Sequence, residues 1–320
     1  MAANCGVTLY HAATLCGQLA DQQYPPWDDS SFKVKNDLKW VAQYRRLQSW
    51  YRENILGAPP GWFQGALRGN HLDAEWLAAN PDANFLNDEI AAYVRTRVPI
   101  VKGLGGVIEE KRLYSNLMSS QPVCFNLFGY LRGHMDEAAA PLAQAFDLDI
   151  AQITNIEVEV PSSLLGDGTA FDAYIEYLTS SGERAFIGVE TKYTEKFSNV
   201  EYDVTERYRE VTESPGSGFR AGAADVLNGN LTNQLWRNAM LAVAHREAND
   251  FGVGHVAVVY SDGDSGLDKA ITAFRDQLDD EESLLRAVTY QQLMANLEPI
   301  AEFQKWVALF RRRYLNLVSD

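Results

Sequence analysis

Apolar and polar residues alternate along two neighbouring stretches of the chain, residues 171–178 and 185–194. This alternation, rich in β-branched and aromatic residues, is typical of strands. The glycine-containing sequence SSGER between them is typical of a turn, so the pattern predicts an antiparallel hairpin. If even-numbered residues pair with even-numbered residues, Asp172 lies across from Glu190 and Lys192 on one face of the sheet. A slip of one residue would separate them, and the sequence does not fix that register.

The rest of the chain predicts further strands and many helices. A strand near residues 155–160 precedes the hairpin. Residues 255–260 are apolar on both faces, which is typical of a strand covered on both sides, and residues 286–289 predict a short strand. Residues 57–70, dense in glycine and proline, predict a loop or linker. The predicted helices cover residues 1–56 with a break at 24–27, 81–97, 114–131, 138–146, 204–211, 231–246, 267–278, 290–297 and 301–317.

The composition is that of a globular protein with a large core. The chain has 320 residues, of which 46% are hydrophobic, and this favours either one elaborated domain or a core with a smaller helical lobe. No apolar run approaches the roughly 20 residues that span a membrane, and the N-terminus lacks the basic segment of a signal peptide. The 3 cysteines show no CxxC spacing. We therefore expect a cytoplasmic protein without membrane contact.

Two carboxylates and a lysine on one sheet face indicate a divalent-metal site. Mg²⁺ usually binds one or two carboxylates, several waters and phosphate oxygens. Asp172 and Glu190 would supply the carboxylates and Thr191 a carbonyl oxygen, while Lys192 would orient the attacking water or stabilise transition-state charge. The alternative is an amphipathic hairpin whose charges face solvent. The metal site is favoured because the sequence GVETKY predicts a central strand, where a charged pair is costly unless matched.

Asp172, a hairpin turn and then Glu190-Thr191-Lys192 resemble the D…ExK signature of the PD-(D/E)XK nuclease superfamily, which has the restriction-endonuclease-like fold. Phe171 precedes Asp172 where the superfamily's name places a proline. That position is loosely kept among such proteins, so the departure weakens the match only slightly.

Two further segments support the resemblance. Gln234 lies on a predicted helix that is similar to the glutamine-bearing helix following the core strands in several members, and residues 119–128 resemble a poorly characterised bacterial branch. The resemblance implies an α/β fold with the αβββαβ core, a central mixed sheet flanked by helices, and an added N-terminal helical region. Residues 1–105 would form that mainly helical region, which could pack on the core, and residues 106–320 the nuclease-like domain.

The resemblance also implies a metal-dependent nuclease that hydrolyses phosphodiester bonds, of DNA rather than RNA, with Mg²⁺ as cofactor and Mn²⁺ as a substitute. Asp172, Glu190 and Thr191 would bind the metal. The catalytic residues would be Asp172, Glu190, Lys192 and Gln234. Many members use another acidic residue, and the candidates here, each of which could equally be a structural or surface charge, are Glu89, Glu110, Glu157 and Glu159.

The net charge of −15 argues against a generally basic nucleic-acid-binding surface. The charge is uneven, however, because six basic residues and one acid, Asp37, lie between Lys33 and Arg52. Aromatic residues interleave them, a mixture that could follow a nucleic-acid backbone and stack bases. The alternative is an amphipathic helix with an ordinary solvated face. The nucleic-acid-binding candidates are Lys33, Lys35, Lys39, Arg45, Arg46 and Arg237.

Two other functions remain open from the sequence. One is a nuclease-fold protein that no longer cleaves and serves as a binding or scaffold module, which the acidic composition favours and the intact Asp172, Glu190 and Lys192 disfavour. The other is a hydrolase of a small phosphorylated substrate, which would also explain the acidity. The sequence does not decide the oligomeric state, the pathway, or between endonuclease and exonuclease.

Overall fold

The computed structural model of the chain describes residues 33–197, 203–280 and 284–317. Its strands are β1 (Pro60–Phe63), β2 (Ala66–Leu72), β3 (Gln152–Pro161), β4 (Ala170–Leu178), β5 (Arg184–Lys192), β6 (Val253–Tyr260) and β7 (Leu285–Thr289). Its α-helices are α1 (Lys39–Asn54), α2 (Ala74–Ala79), α3 (Asp88–Gly103), α4 (Ser120–Leu131), α5 (Met135–Phe146), α6 (Glu206–Thr212), α7 (Ala223–Leu227), α8 (Asn233–Ala248), α9 (Ser265–Arg275), α10 (Tyr290–Leu297) and α11 (Gln304–Tyr314). None of these described helices combines the length and apolarity needed to cross a membrane.

Within the described residues, a five-stranded mixed sheet in the order β3-β4-β5-β6-β7 forms the centre of the fold. β3, β4 and β5 are an antiparallel meander, and β6 and β7 continue parallel to β5. Parallel neighbours need a crossover connection, which α8 supplies before β6 and α9 before β7. The predicted α/β fold, in which a three-strand meander is followed by a helix and another strand of a mixed sheet, is therefore confirmed.

Helices cover both faces of the sheet and enclose two hydrophobic cores. On the first face, side chains such as Ile175 and Ile187 pack with α1, α3, α4, α5, α10 and α11. On the second face, side chains such as Phe186 and Val258 pack with α6, α7, α8 and α9. β6 is apolar on both faces because both faces of this central strand are buried.

The N-terminal segment shares the first of these cores. Tyr44 of α1 and Ile90 of α3 belong to the same buried cluster as Tyr314 of α11. The sequence predicts helix over residues 1–56, and α1 lies within that range. Residues 1–32, which include the predicted break, lie outside the described residues. The division at residue 105 stays a prediction.

The prediction of a loop or linker at residues 57–70 is wrong, because the chain forms the β1–β2 hairpin there. Gln64 and Gly65 both take positive φ, at 51° and 76°, as a tight two-residue hairpin turn requires. The hairpin packs on α1, where Arg52 Nε donates to Gly69 O at 2.9 Å. Glycine and proline therefore mark a turn and the strand ends here, and they do not mark a linker between domains.

Candidate active site

β4 and β5 separate at the point where Asp172 lies. Their register pairs Tyr174 with Gly188 and ends at Ala173 opposite Val189, so even-numbered residues face even-numbered residues. Beyond that pair, the Asp172 side chain forms the hydrogen bonds to β5. Its Oδ2 accepts from the Thr191 amide and from Thr191 Oγ1, both at 2.8 Å. The carboxylate of Asp172 is thereby fixed beside the residues that follow Val189 on β5.

The carboxylate of Glu190 accepts hydrogen bonds from three side chains, and the residue is buried, with only 4% of its surface exposed. Lys192 Nζ approaches Oε1 at 2.8 Å, and the Gln234 amide donates to the same oxygen at 2.6 Å. The Asn238 amide donates to Oε2 at 2.7 Å. A buried carboxylate needs hydrogen-bond donors in place of water, and these side chains supply them.

α8 supplies both amides because Gln234 and Asn238 are four residues apart and lie on one helix face. Arg237 lies between them and binds the β3–β4 connection, with Nε 2.8 Å from Asp167 Oδ2. The helical spacing of these side chains is visible in the sequence, yet it did not assign Asn238 to the site. Only the packing of α8 against β5 shows that Asn238 contacts Glu190.

Lys192 is a buried cation that its neighbours keep charged. Burial alone would lower the pKa of Lys192, but the negative charges of Glu190 and Asp172 outweigh this effect and raise the pKa above its ordinary value. The ammonium also lies 5.4 Å from the centre of the Phe197 ring. An ammonium held in this way stays protonated and can donate hydrogen bonds to a ligand that enters the site.

Glu159 extends the acidic group onto a third strand. In the register of β3 and β4 it lies between the pairs Val158–Ala173 and Val160–Phe171, and so opposite Asp172. Its φ of 54° is in the left-handed region, which is uncommon for a residue with a side chain. Of the two candidates on this strand, Glu159 is the one that the structure brings to Asp172.

The three carboxylates repel one another. Burial, and then the charge of Glu190, raise the pKa of Glu159 to about 7 although Gln121 Nε2 donates to its Oε1 at 2.8 Å. Burial, and then Glu190 and Glu159, raise the pKa of Asp172 well above its ordinary range. Gln121 lies in the first turn of α4, so the predicted 119–128 segment contributes to this site.

The other acidic candidates have different partners. Glu157 Oε2 pairs with Arg97 at 2.8 Å and accepts from the Tyr93 hydroxyl at 3.1 Å. Glu89 lies 3.7 Å from His134 Nε2, and Glu110 pairs with Lys102. In the part of the chain that the structure describes, none of these three forms a hydrogen bond or ion pair with Asp172 or Glu190, and their predicted metal role gains no support.

The basic candidates fall into two groups. Lys33, Lys35, Lys39, Arg45 and Arg46 line a common cavity beside α1. Arg237 is instead buried against the β3–β4 connection, as described above. Their contacts with nucleic acid stay predictions.

The donor set suits a hard divalent cation. Among the described residues, no three His, Cys, Asp or Glu side chains form a ready metal cage. Mg²⁺ does not need one, because it commonly binds one or two carboxylates and keeps several waters. No donor within the described ranges bonds Oδ1 of Asp172. Burial, and then neighbouring negative charge, raise the pKa values of Asp172 and Glu159, and a bound cation would stabilise their charged forms.

A mixed sheet with helices on both faces, and an Asp-Glu-Lys group where two of its strands diverge, defines the restriction-endonuclease-like class of α/β proteins. The family model of the PD-(D/E)XK nuclease superfamily matches residues 35–316, and the chain belongs to that superfamily. Its members typically use divalent metals and usually hydrolyse phosphodiester bonds, which implies nucleic acid as a partner. The comparisons with curated proteins and with solved structures found no match.

Without metal, the protein is expected to lose stability as the pH rises through the titration of Glu159. The pKa of Glu159 is about 7 in the folded state against an ordinary value of 4.5, so the folded state binds the extra proton between these values. The free energy of unfolding should then fall by roughly 2–3 kcal/mol between pH 4.5 and 7, and Asp172 adds a fall of the same sign. Urea unfolding in a chelating buffer at several pH values measures this fall.

The fall in the free energy of unfolding with rising pH should become smaller in Glu159→Gln, and also when Mg²⁺ is added to the parent protein. Glu176→Gln is the matched control, because Glu176 lies on β4 and pairs with Arg184 at 3.1 Å, and it should keep the fall. An unchanged pH dependence in Glu159→Gln would contradict the assignment of the shift to this carboxylate.

Proposed function

We propose that this protein is a divalent-metal-dependent nuclease that hydrolyses phosphodiester bonds, in DNA rather than RNA. The observation that carries the proposal is the grouping of Asp172, Glu190 and Lys192 at one place on the sheet. Two carboxylates and one ammonium can together bind a divalent cation and a phosphate. Membership of the nuclease superfamily supports the same reaction class.

Asp172 and Glu190 would hold Mg²⁺ or Mn²⁺, with the carbonyl of Thr191 as a further oxygen donor. The bound cation would lower the pKa of a water molecule and neutralise charge on the phosphate. In the reaction a water oxygen attacks phosphorus and the bond to the leaving oxygen breaks. Lys192 would donate hydrogen bonds to the attacking water or to a phosphate oxygen, and its raised pKa keeps it protonated for that role.

Gln234 and Asn238 would act through Glu190. Each amide donates to one carboxylate oxygen, at 2.6 and 2.7 Å, and the two contacts fix the plane of the carboxylate. Partners of this kind orient metal ligands and tune their basicity. This makes Gln234 a positioning residue, whereas the sequence predicted a catalytic contact.

One observation favours a second candidate, a nuclease-fold protein that binds nucleic acid without cleaving it. Both oxygens of Glu190 already accept hydrogen bonds from Lys192, Gln234 or Asn238. A cation must compete with the ammonium of Lys192 for Glu190. If the ion pair persists in the presence of Mg²⁺, the site would bind no metal and would not cleave.

A cleavage assay distinguishes the two candidates. The protein is incubated with single- and double-stranded DNA and RNA in Mg²⁺, in Mn²⁺ and in a chelator, beside Asp172→Asn and the control Glu176→Gln. We expect metal-dependent cleavage of DNA that Asp172→Asn loses and Glu176→Gln keeps. Calorimetric titration with Mn²⁺ should show binding to the parent protein and weaker binding to Asp172→Asn. Binding of DNA with neither metal binding nor cleavage would establish the second candidate instead.

A further inference from the structure

Arg112 lies close to the carboxylates on a short π-helical turn, Lys111–Ser115, that precedes α4. Turns of this kind are rare and occur frequently at functional sites. Burial raises the pKa of Glu159, and the positive charge of Arg112 acts in the opposite direction. Among the described residues, Arg112 forms no hydrogen bond or ion pair with Asp172 or Glu190, so it is not one of the groups that hold those carboxylates.

The first turn of α4 joins Arg112 to the acidic group. Arg112 Nε donates to Ser119 Oγ at 3.2 Å, and Ser119 is the N-cap of α4. Two residues further on, Gln121 Nε2 donates to Glu159 Oε1 at 2.8 Å. Arg112 and Glu159 therefore contact side chains at the same end of α4, and Glu159 lies opposite Asp172 on the sheet.

The segment that follows β5 also brings Arg112 towards Lys192. Arg112 Nη2 donates to Glu195 Oε1 at 3.1 Å, and Glu195 comes three residues after Lys192. Burial lowers the pKa of Lys192, and the negative charge of Glu195 is one of several charges that raise it. Arg112 thus lies on the side of the site where β5 ends and α4 begins.

Glu195 does not depend on Arg112 for its hydrogen bonds. Its Oε1 also accepts from the Ser120 amide at 2.8 Å and from Ser120 Oγ at 3.2 Å, and its Oε2 accepts from the Thr194 amide at 3.2 Å. The side chains of Arg112 and Glu195 are 48% and 30% exposed, and ion pairs with this much solvent contact are weak. The guanidinium could therefore leave Glu195 for another anion at little cost.

The donors of Arg112 are less occupied than those of Arg97, which contacts the same strand, β3. Arg97 donates through Nε and Nη2 to the backbone of β3 and pairs through Nη1 with Glu157, and its side chain is only 9% exposed. Among the described residues, Arg112 bonds through Nε and Nη2 alone. Its Nη1 donors remain for a ligand, and a guanidinium edge matches two oxygens of a phosphate.

We propose that Arg112 binds a phosphate of the DNA substrate beside the metal site, and that this phosphate replaces Glu195 as the partner of the guanidinium. The proposal rests on the proposed function and adds a substrate-binding residue to it. A chain with a net charge of −15 needs local cations to hold a polyanion. Lys192 is buried against Glu190, whereas Arg112 is exposed to an entering strand. The alternative is a surface ion pair that only ties the π-helical turn to the end of β5.

Binding is tested in the full chain carrying Glu190→Gln, in a chelating buffer, so that cleavage does not interfere. In fluorescence anisotropy with labelled DNA, Arg112→Gln should weaken binding roughly tenfold or more. The slope of log affinity against log salt should fall by roughly 0.9 for a duplex and 0.7 for a single strand. Unrelated DNA sequences should lose the same factor, because a phosphate contact carries no sequence information. Arg112→Lys keeps the charge and should keep the slope.

Arg184→Gln is the matched control. The pair of Arg184 with Glu176 has the same 3.1 Å separation and side chains that are 50% and 25% exposed, but it lies at the opposite end of β5. This variant should bind DNA as the Glu190→Gln parent does. Circular dichroism checks that each variant is folded.

Glu195→Gln separates phosphate binding from a structural role. If the ion pair is structural, removing either partner should weaken DNA binding in the same way. If Glu195 competes with phosphate for Arg112, Glu195→Gln should instead bind DNA more tightly, and by more than the control Glu176→Gln, which also removes one negative charge. This gain should vanish when Arg112→Gln is added, because it depends on the guanidinium.

Unchanged affinity and slope in folded Arg112→Gln would overturn the proposal even if the parent protein cleaves DNA. Equal weakening by Arg112→Gln and Glu195→Gln would overturn it in favour of the structural ion pair, and so would a complete lack of DNA binding by the Glu190→Gln protein. The expected loss in Arg112→Gln, in a protein whose unmutated form cleaves nothing in Mg²⁺ or Mn²⁺, would refute the proposed catalytic function alone.

Discussion

Replacing Glu190 with glutamine is expected to lower the rate of metal-dependent phosphodiester cleavage by at least about a thousandfold. The change removes a negative charge from the place where Asp172 and Glu190 would hold the cation, and it keeps the size of the side chain. One of the amides of Gln234 and Asn238 can turn to present its oxygen to the new NH₂ group, while the other continues to donate to the remaining oxygen. Lys192 keeps Asp172 as an opposite charge, so we expect the variant to fold.

Single-turnover cleavage of a labelled DNA in saturating Mg²⁺ measures this effect, and circular dichroism confirms that the variant is folded. Glu176→Gln neutralises a carboxylate of β4 that is paired with Arg184, and should cleave at the parent rate. If Glu190→Gln is folded and retains the parent rate, Glu190 does not bind a metal that catalysis needs.

The sequence was sufficient to predict the meander and the buried strand that follows it after a helix. Alternation in β4 and β5, and an apolar run in β6, are local signals that depend on which faces are covered. The even-to-even register could only be stated as a condition, because turn sequence and alternation allow a slip of one residue. The structure satisfies the condition through the pair Tyr174–Gly188.

Other parts of the site depend on contacts between distant segments, which a single sequence does not display. Asn238 reaches Glu190 because α8 packs across β5. Glu159 lies opposite Asp172 near the end of β3, where its backbone is left-handed. Neither fact follows from a periodic pattern. The spacing of Gln234 and Asn238 was a usable signal, since residues four apart share a helix face.

The residue before Asp172, Phe171, is also explained by a contact with a neighbouring strand that the sequence alone does not display. Its ring lies over Gly188 of β5, where a Cβ atom would be only 2.2 Å from the ring. The ring also belongs to the second-face core together with Tyr174 and Phe186. An aromatic residue at this position is therefore matched by a glycine on the neighbouring strand, and this pairing explains how the chain accommodates a residue other than proline there.

Replacing Arg237 with alanine is expected to destabilise the protein by about 3–5 kcal/mol, since removing one partner of a buried ion pair leaves the other charge uncompensated. The side chains of Arg237 and Asp167 are only 9% and 11% exposed. Arg237 also donates to Thr169 Oγ1 at 2.6 Å, so its loss frees the β3–β4 connection from α8. Urea unfolding of the metal-free protein measures the change.

Arg209→Ala is the matched control, because the pair of Arg209 with Asp225 has the same 2.8 Å separation but side chains that are 46% and 68% exposed. Loss of that surface pair should change stability by no more than about 1 kcal/mol. Arg237→Ala should also lower cleavage, because Arg237 holds the turn of α8 that presents Gln234 and Asn238 to Glu190. The sequence predicted instead that Arg237 contacts nucleic acid. Under that hypothesis the variant would bind DNA more weakly with its stability unchanged, and this result would contradict the anchoring role.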